Sequence, residues 1–225
     1  MSATRPRIAI LISGRGSNMR ALVEACRAGD INADIACVLS NKAGAPGLDY
    51  AAAHDIPTLT ISHSDYPSRE AFDAAMNQAL DAYRPDWLLL AGFMRILTPV
   101  FIDHFAGRIF NIHPSLLPLY PGLNTHQRAL EAGDTRAGAS VHLVTAELDS
   151  GPVILQGVVD VCEGDDAENL AARVLGAEHL IYPQVVKWLT QGELSIDGQR
   201  CLFRGSDIIK PGRWYNGRLT EPETH

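Results

Sequence analysis

Short apolar runs that alternate with longer amphipathic stretches most constrain the fold of this chain. The clearest run, Trp87 to Leu90, holds consecutive apolar residues, which is typical of a strand covered on both faces. Other stretches repeat apolar residues at helical spacing, as Leu22, Val23 and Cys26 do. The alternation indicates βαβ units and predicts an α/β fold, an open twisted and mostly parallel sheet with helices on both faces.

The same patterns locate the elements along the chain. Strands are predicted at 7–12, 35–39, 58–61, 86–91, 109–112, 140–144 and 153–161, and helices at 17–28, 46–54, 68–83, 125–132 and 165–189. From Asp197 the pattern weakens, which predicts a tail, about 197–225, that is extended or partly disordered. At 225 residues we expect one domain, 1–225, with a catalytic core of about 6–190.

Composition disfavours several classes of function. A formal net charge of −7 without a block of Lys or Arg argues against a nucleic-acid surface. No apolar run approaches the ~20 residues of a membrane span, and no signal core precedes Arg7, so we expect a cytoplasmic protein without membrane contact. The eight histidines lack metal-ligand spacing, which predicts no metal site. The cysteines form no Cys-x-x-Cys pair, and we expect them to be reduced, buried packing residues: Cys26, Cys37, Cys162 and Cys201.

The segment Asn111-Ile112-His113-Pro114 places an amide and an imidazole at the end of a predicted strand. Residues two apart in a strand point to the same side, and open α/β sheets bind ligands at the carboxyl ends of their strands. Asn111 and His113 could together polarise a carbonyl and move a proton. A capping Asn and a half-buried His in a proline-rich turn remain the structural alternative.

The turn after the first predicted strand, Ser13-Gly14-Arg15-Gly16-Ser17-Asn18, suits a phosphate. Glycines allow backbone N–H groups to approach an anion, and the start of the next helix adds a partial positive charge. The turn is no dinucleotide fingerprint, because Met19 stands where a third glycine is required. A tight structural turn with Ser17 as helix N-cap is the alternative.

A third segment, Glu147-Leu148-Asp149-Ser150-Gly151-Pro152, lies between two predicted strands. Taken alone it is an ordinary turn. If the fold brings Asp149 beside His113, the carboxylate would orient the imidazole, favour its protonated form and supply a proton relay.

Together these motifs resemble those of the phosphoribosylglycinamide formyltransferase family, folate-dependent enzymes of purine synthesis with a Rossmann-like fold. The resemblance rests on four segments that span nearly the whole chain, 12–18, 90–97, 111–118 and 148–152. The block Asn111 to Pro118 alone marks the wider formyltransferase superfamily. The family implies transfer of a formyl group from 10-formyltetrahydrofolate, as co-substrate, to the amine of glycinamide ribonucleotide.

The resemblance also implies roles for individual residues. Asn111, His113 and Asp149 would form the catalytic trio. The ribose phosphate would be held by Gly16, Ser17 and Asn18, and the glycinamide end by Glu178. Folate would contact Arg69, Met94, Arg95, Ile96, Leu97, Asn111, Thr145, Ala146, Glu147, Leu148 and Asp149. The chain departs from common family residues at Leu175, where a Gln is frequent, and at Asn124, where some members have a His.

Three other functions stay open at this point. A formyltetrahydrofolate hydrolase would release formate without an amine acceptor. A non-catalytic nucleotide-binding protein would bind the phosphate without turnover, and an oxidoreductase would need a dinucleotide. We expect small-molecule partners, and either a monomer or a homodimer.

Overall fold

A computed structural model describes residues 5–225, and its helices and strands alternate along most of the chain. The helices are α1 (Ser17–Ala28), α2 (Pro46–Ala52), α3 (Arg69–Asp81), α4 (Pro99–His104), α5 (Thr125–Glu131) and α6 (Ala167–Gln191). The strands are β1 (Arg7–Ile12), β2 (Asp34–Ser40), β3 (Thr58–Thr60), β4 (Trp87–Leu90), β5 (Ile109–His113), β6 (Arg136–Leu143), β7 (Val153–Asp160), β8 (Leu194–Asp197), β9 (Arg200–Phe203), β10 (Ser206–Lys210), β11 (Gly212–Tyr215), β12 (Arg218–Thr220) and β13 (Glu223–Thr224). The α/β fold class is as predicted.

The chain divides into two compact units, and the division falls within β5, after Phe110. In the first unit, β1 lies between β4 and β2, and β2 pairs with β3, all in parallel. The apolar residues of β1 are fully buried, as expected for a central parallel strand. Because the strand order reverses at β1, the segments that follow β1 and β4 lie at a topological switch point, where α/β sheets bind ligands.

In the second unit, β6 and β7 are antiparallel, β11 joins the far edge of β7 in parallel, and β12 pairs with β11. Helix α6 packs on β7, where Gly157 makes this possible: a Cβ on Gly157 would lie 2.9 Å from the Ala177 Cβ. Strands β8, β9, β10 and β13 form a separate antiparallel sheet. The Phe203 ring of this sheet meets the Trp188 ring of α6 edge-on at 5.1 Å.

The tail is more regular than the weakened pattern predicts, so partial disorder is the wrong expectation for it. Two-residue turns at Arg204-Gly205 and Asn216-Gly217 have positive φ at both positions, the geometry that joins antiparallel strands tightly. Asn-Gly is the strongest short hairpin signal in a sequence. The prediction weighed only the apolar periodicity and missed this turn signal.

Three further differences have physical reasons. Strand β6 begins at Arg136 rather than at Ser140. The prediction missed its first part because Gly138 and its small neighbours give no apolar pattern. Only glycine fits at 138, since a Cβ there would lie 1.9 Å from the Gly157 oxygen. Helix α4 is too short to show helical periodicity and was not predicted. Cys162 is exposed and Cys26 only partly buried, whereas Cys37 and Cys201 are buried as expected.

Within residues 5–225, no helix has the length and apolar character required to cross a lipid bilayer. That the whole chain is one formyltransferase domain with a core of about residues 6–190 stays a prediction.

Candidate active site

Asn111 and His113 lie at the C-terminal end of β5, with their side chains on the same side of the strand. Ile109, Phe110 and Ile112 are buried, and they fix the strand in the core of the protein. His113 is itself buried, while Asn111 is partly accessible. The predicted placement of the two side chains at the carboxyl end of a strand is therefore confirmed by the geometry.

Both ring nitrogens of His113 face oxygen acceptors. Nε2 lies 2.9 Å from the Tyr120 carbonyl oxygen, and Nδ1 lies 3.5 Å from Asp149 Oδ2. A neutral imidazole carries only one N–H and would leave a lone pair against one of these oxygens. A protonated ring would donate to both oxygens.

Asp149 reaches His113 from the loop between β6 and β7. Its carboxylate is nearly enclosed, with 8% of the side chain exposed, and its Oδ2 accepts a hydrogen bond of 2.9 Å from the Gly122 N–H. The Asp149 backbone is left-handed, with φ of 51°, a conformation that costs a non-glycine residue roughly 1–2 kcal/mol. At Gly151, a Cβ would lie 1.8 Å from the Leu143 oxygen, so only glycine permits this course of the loop.

His142 is a fourth member of this cluster, and sequence reasoning considered it only as a metal ligand. Its Nδ1 lies 3.0 Å from the Leu143 oxygen and must donate there, which leaves Nε2 as an acceptor. Asn111 Nδ2 donates to that Nε2 at 3.1 Å. Burial is the main cause that lowers the pKa of His142, and nearby His113 lowers it further, against opposing effects of Leu143 and Asp149. By accepting this hydrogen bond, His142 fixes the orientation of the Asn111 amide group.

A buried polar network holds the loop that follows β5. Ser140 Oγ donates to the Ser115 oxygen at 2.7 Å and accepts from the Leu117 N–H at 3.0 Å. Gln156 Nε2 donates to the Leu117 oxygen at 2.9 Å. This network fixes the path toward Tyr120, whose carbonyl meets His113. Ser140 and Gln156 belong to predicted strands, but nothing in a single sequence signals their role.

The turn after β1 is built as the glycine pattern predicts, with one correction. Gly16, not Ser17, is the N-cap of α1, and no side chain caps the helix. Gly16 has φ of 67°, and a Cβ there would lie 2.9 Å from Met19 Cε. A glycine is therefore favoured at this position, and no side-chain hydroxyl caps the first turn of α1.

The segment after β4 presents apolar side chains to solvent. Met94 is 62% exposed and Ile96 54%, whereas Leu97 is buried. Arg69, at the start of α3, is exposed, and Arg95 lies over the Phe72 ring at 5.2 Å. Exposed apolar side chains of this kind mark an interaction site.

The remaining predicted residues lie in the second unit. Glu178 is a buried carboxylate on α6. Between β6 and Asp149, Thr145 is partly buried, and its neighbours are exposed: Ala146, Glu147 and Leu148. Among residues 5–225, no group of three or more His, Cys, Asp or Glu side chains could hold a metal ion.

Comparison with known proteins extends these observations to the whole chain. Residues 6–186 match the family model described as formyl transferase. A phosphoribosylglycinamide formyltransferase of Escherichia coli is 51% identical over 205 residues, which cover 88% of this chain and 97% of that protein. A solved structure of the enzyme from Coxiella burnetii superposes with a TM-score of 0.87 at 44% identity, covering 92% of this chain and 97% of that one. The enzyme from Brucella melitensis gives a TM-score of 0.80 at 51% identity, with 86% and 100% covered.

Proposed function

The chain belongs to the formyl transferase family, and from this premise we propose how its residues bind the substrates and move the formyl group. Its reaction is the formylation of glycinamide ribonucleotide in purine biosynthesis, with a formyl-folate as co-substrate. Hydrolysis of the folate without an acceptor is not favoured by relatives of this identity and coverage. The specific donor we propose is 10-formyltetrahydrofolate.

The observation that carries the proposed chemistry is the approach of His113 Nδ1 to Asp149 Oδ2, at 3.5 Å, beside the Asn111 amide. The free amine of the ribonucleotide attacks the formyl carbon, and the carbonyl π electrons move to oxygen as a tetrahedral centre forms. Asn111 and the His113 imidazolium stabilise that oxyanion. One well-placed donor of this kind lowers the activation barrier by roughly 2.7–4 kcal/mol.

We assign the oxyanion contact to the Nε2–H of His113. The Tyr120 carbonyl accepts this N–H at 2.9 Å, so the oxyanion shares it as a second acceptor, while Asp149 faces the opposite nitrogen. One Asn111 N–H is held by His142, and the second serves the oxyanion.

Proton transfer completes the exchange. The attacking amine loses a proton as its C–N bond forms, and Asp149 accepts it. The tetrahedral centre then collapses, the bond from carbon to the folate nitrogen breaks, and that nitrogen takes the proton through water. Positioned proton transfer of this kind is worth about 10²–10⁴-fold in rate.

Substrate binding is assigned to the segments the sequence singled out. Gly16, Ser17 and Asn18 bind the ribose phosphate at the start of α1, where backbone N–H groups and the helix dipole favour an anion. Glu178 contacts the glycinamide end of the ribonucleotide. Folate lies against Arg69, the segment 94–97, Asn111 and residues 145–149, with the exposed Met94 and Ile96 offering apolar contact.

We also propose that the protein works in the cytoplasm as a single formyltransferase domain, without metal, as monomer or homodimer. The acidic net charge supports small substrates rather than nucleic acid as partners.

The decisive experiment is a spectrophotometric assay of folate deformylation, run with and without glycinamide ribonucleotide. We expect turnover to depend strictly on the ribonucleotide. Formate release at the same rate without acceptor would refute the transferase assignment in favour of a hydrolase. A shift of the thermal midpoint by NAD(P) and not by the formyl-folate would favour an oxidoreductase.

A further inference from the structure

The segment 92–98, the folate loop hereafter, has no regular secondary structure, yet side chains from two other elements hold both of its ends. Its backbone N–H groups at Met94 and Thr98 donate to Ser13 and Asp73 respectively. All of these residues belong to the first unit. Met94, at the first anchored position, and Ile96, between the two, have exposed side chains. The anchors thus determine where the exposed apolar surface lies.

Asp73 holds the C-terminal end of the loop. It lies on α3, one helical turn after Arg69, and only 2% of it is exposed. Its Oδ2 accepts the Thr98 N–H at 2.6 Å, a short, charge-assisted hydrogen bond at the start of α4. Burial raises the pKa of Asp73, against the lowering effects of Thr98 and Arg95. The buried carboxylate thus ties α3 to the end of the folate loop through the Thr98 N–H.

Ser13 holds the N-terminal end. Its Oγ accepts the Met94 N–H at 2.8 Å and donates to the buried Asn41 Oδ1 at 2.5 Å. Its own N–H donates to the Gly92 oxygen at 3.1 Å. Two hydrogen bonds therefore join the residue after β1 to the first part of the folate loop.

We propose that Asp73 and Ser13 are positioning residues for folate, which place the backbone and apolar side chains of the folate loop against the co-substrate. The proposal rests on the assignment of this loop to folate under the proposed function. Asp73 has a particular effect, because it sets the loop relative to the helix that carries Arg69. Loss of either anchor should weaken folate binding and leave the chemical step in the second unit unchanged.

The test compares steady-state constants of Asp73→Ala, Asp73→Asn and wild type. We expect Asp73→Ala to raise the KM for 10-formyltetrahydrofolate about tenfold, which is the loss of roughly one hydrogen bond to a charged group. The KM for glycinamide ribonucleotide and the kcat at saturating folate should stay within about twofold of wild type. Asp73→Asn keeps an oxygen acceptor for the Thr98 N–H and should restore most of the affinity.

Asn77→Ala is the matched control. Asn77 lies one turn further along α3, is also buried, and donates to the Val100 oxygen at 2.9 Å without touching the folate loop. It should lower the thermal midpoint but leave the folate KM unchanged. An equal rise of the folate KM in Asn77→Ala and Asp73→Ala would reduce the effect to general destabilisation and overturn the proposal.

Amide hydrogen exchange of the wild type separates failure of this proposal from failure of the folate assignment. Tetrahydrofolate should slow exchange in residues 94–98. Absence of that protection overturns the assignment of the loop, and the positioning role with it. Protection together with an unchanged folate KM in Asp73→Ala overturns the positioning role alone. If Asp73→Ala does not fold, Ser13→Ala applies the same test to the other end of the loop.

Discussion

The two units of the molecule differ in how they present polar groups. In the first unit, the segment after β4 offers backbone and exposed apolar side chains as well as Arg95, and the buried polar residues Ser13 and Asp73 hold its backbone. In the second unit, the functional groups are side chains: His113, Asp149 and His142 lie within 4 Å of a neighbour in the cluster. Recognition can be built from backbone geometry, whereas proton transfer and charge stabilisation require titratable groups with fixed partners.

The largest effect should come from the imidazole of the second unit. We expect His113→Ala to lower kcat about 10³-fold, because it removes an oxyanion donor together with the partner of Asp149. Single-turnover kinetics at saturating substrates measure the loss, and circular dichroism checks the fold. The KM values should change little, and a near-native rate would show that the chemistry does not depend on this unit as described.

The carboxylate of the same cluster should follow. Asp149→Asn is expected to lower kcat about 10²-fold, since the amide neither accepts the proton nor stabilises the imidazolium. Asn tolerates the left-handed backbone at this position, so the thermal midpoint should not fall. Calorimetry with a parallel rate measurement tests both statements, and a large drop in midpoint would make Asp149 a structural rather than a catalytic residue.

A backbone change in the first unit should affect binding instead of chemistry. Gly16→Ala places a methyl group against Met19 and Gly47 at φ of 67°, which we expect to cost about 1 kcal/mol or more of stability and to raise the ribonucleotide KM. Gly14→Ala is the stability control, because no atom lies within 4 Å of a Cβ there. A fall in kcat with unchanged KM in Gly16→Ala would contradict the division between the units.

The smallest effect should be a pH dependence of stability that arises in the second unit. Burial lowers the pKa of His142 below 6.5, so below that pH the unfolded chain binds a proton that the folded chain does not. Stability should fall with acidification below this pH, by at most about 1.4 kcal/mol per pH unit from this one group. The decline of the thermal midpoint between about pH 7.5 and 5.5 should be shallower in His142→Gln, and an identical decline would remove His142 as its cause.

Periodicity predicted the strands of the first unit and placed Asn111 and His113 at the end of a strand, whereas their grouping with Asp149 as a trio was implied by the family resemblance. The consecutive apolar residues of β4 and the apolar run that ends in Asn-x-His in β5 are local signals that predict strands. His142 and Asp73 could not be found this way, because their roles depend on partners 31 and 25 residues away in the chain. The alternative with Ser17 as N-cap rests on the propensity of a hydroxyl for that position, whereas the structure has a left-handed Gly16 there.

The strands of the tail have a consequence for solubility. Because β11 is hydrogen-bonded to β7, the edge strand of that sheet is β12. This strand has three residues, carries Arg218 and is followed by Pro222. Short, charged borders that end at a proline resist pairing with other chains and so resist aggregation. Removal of the last residues would uncover the long apolar β7 to intermolecular addition, even though every catalytic group would be retained.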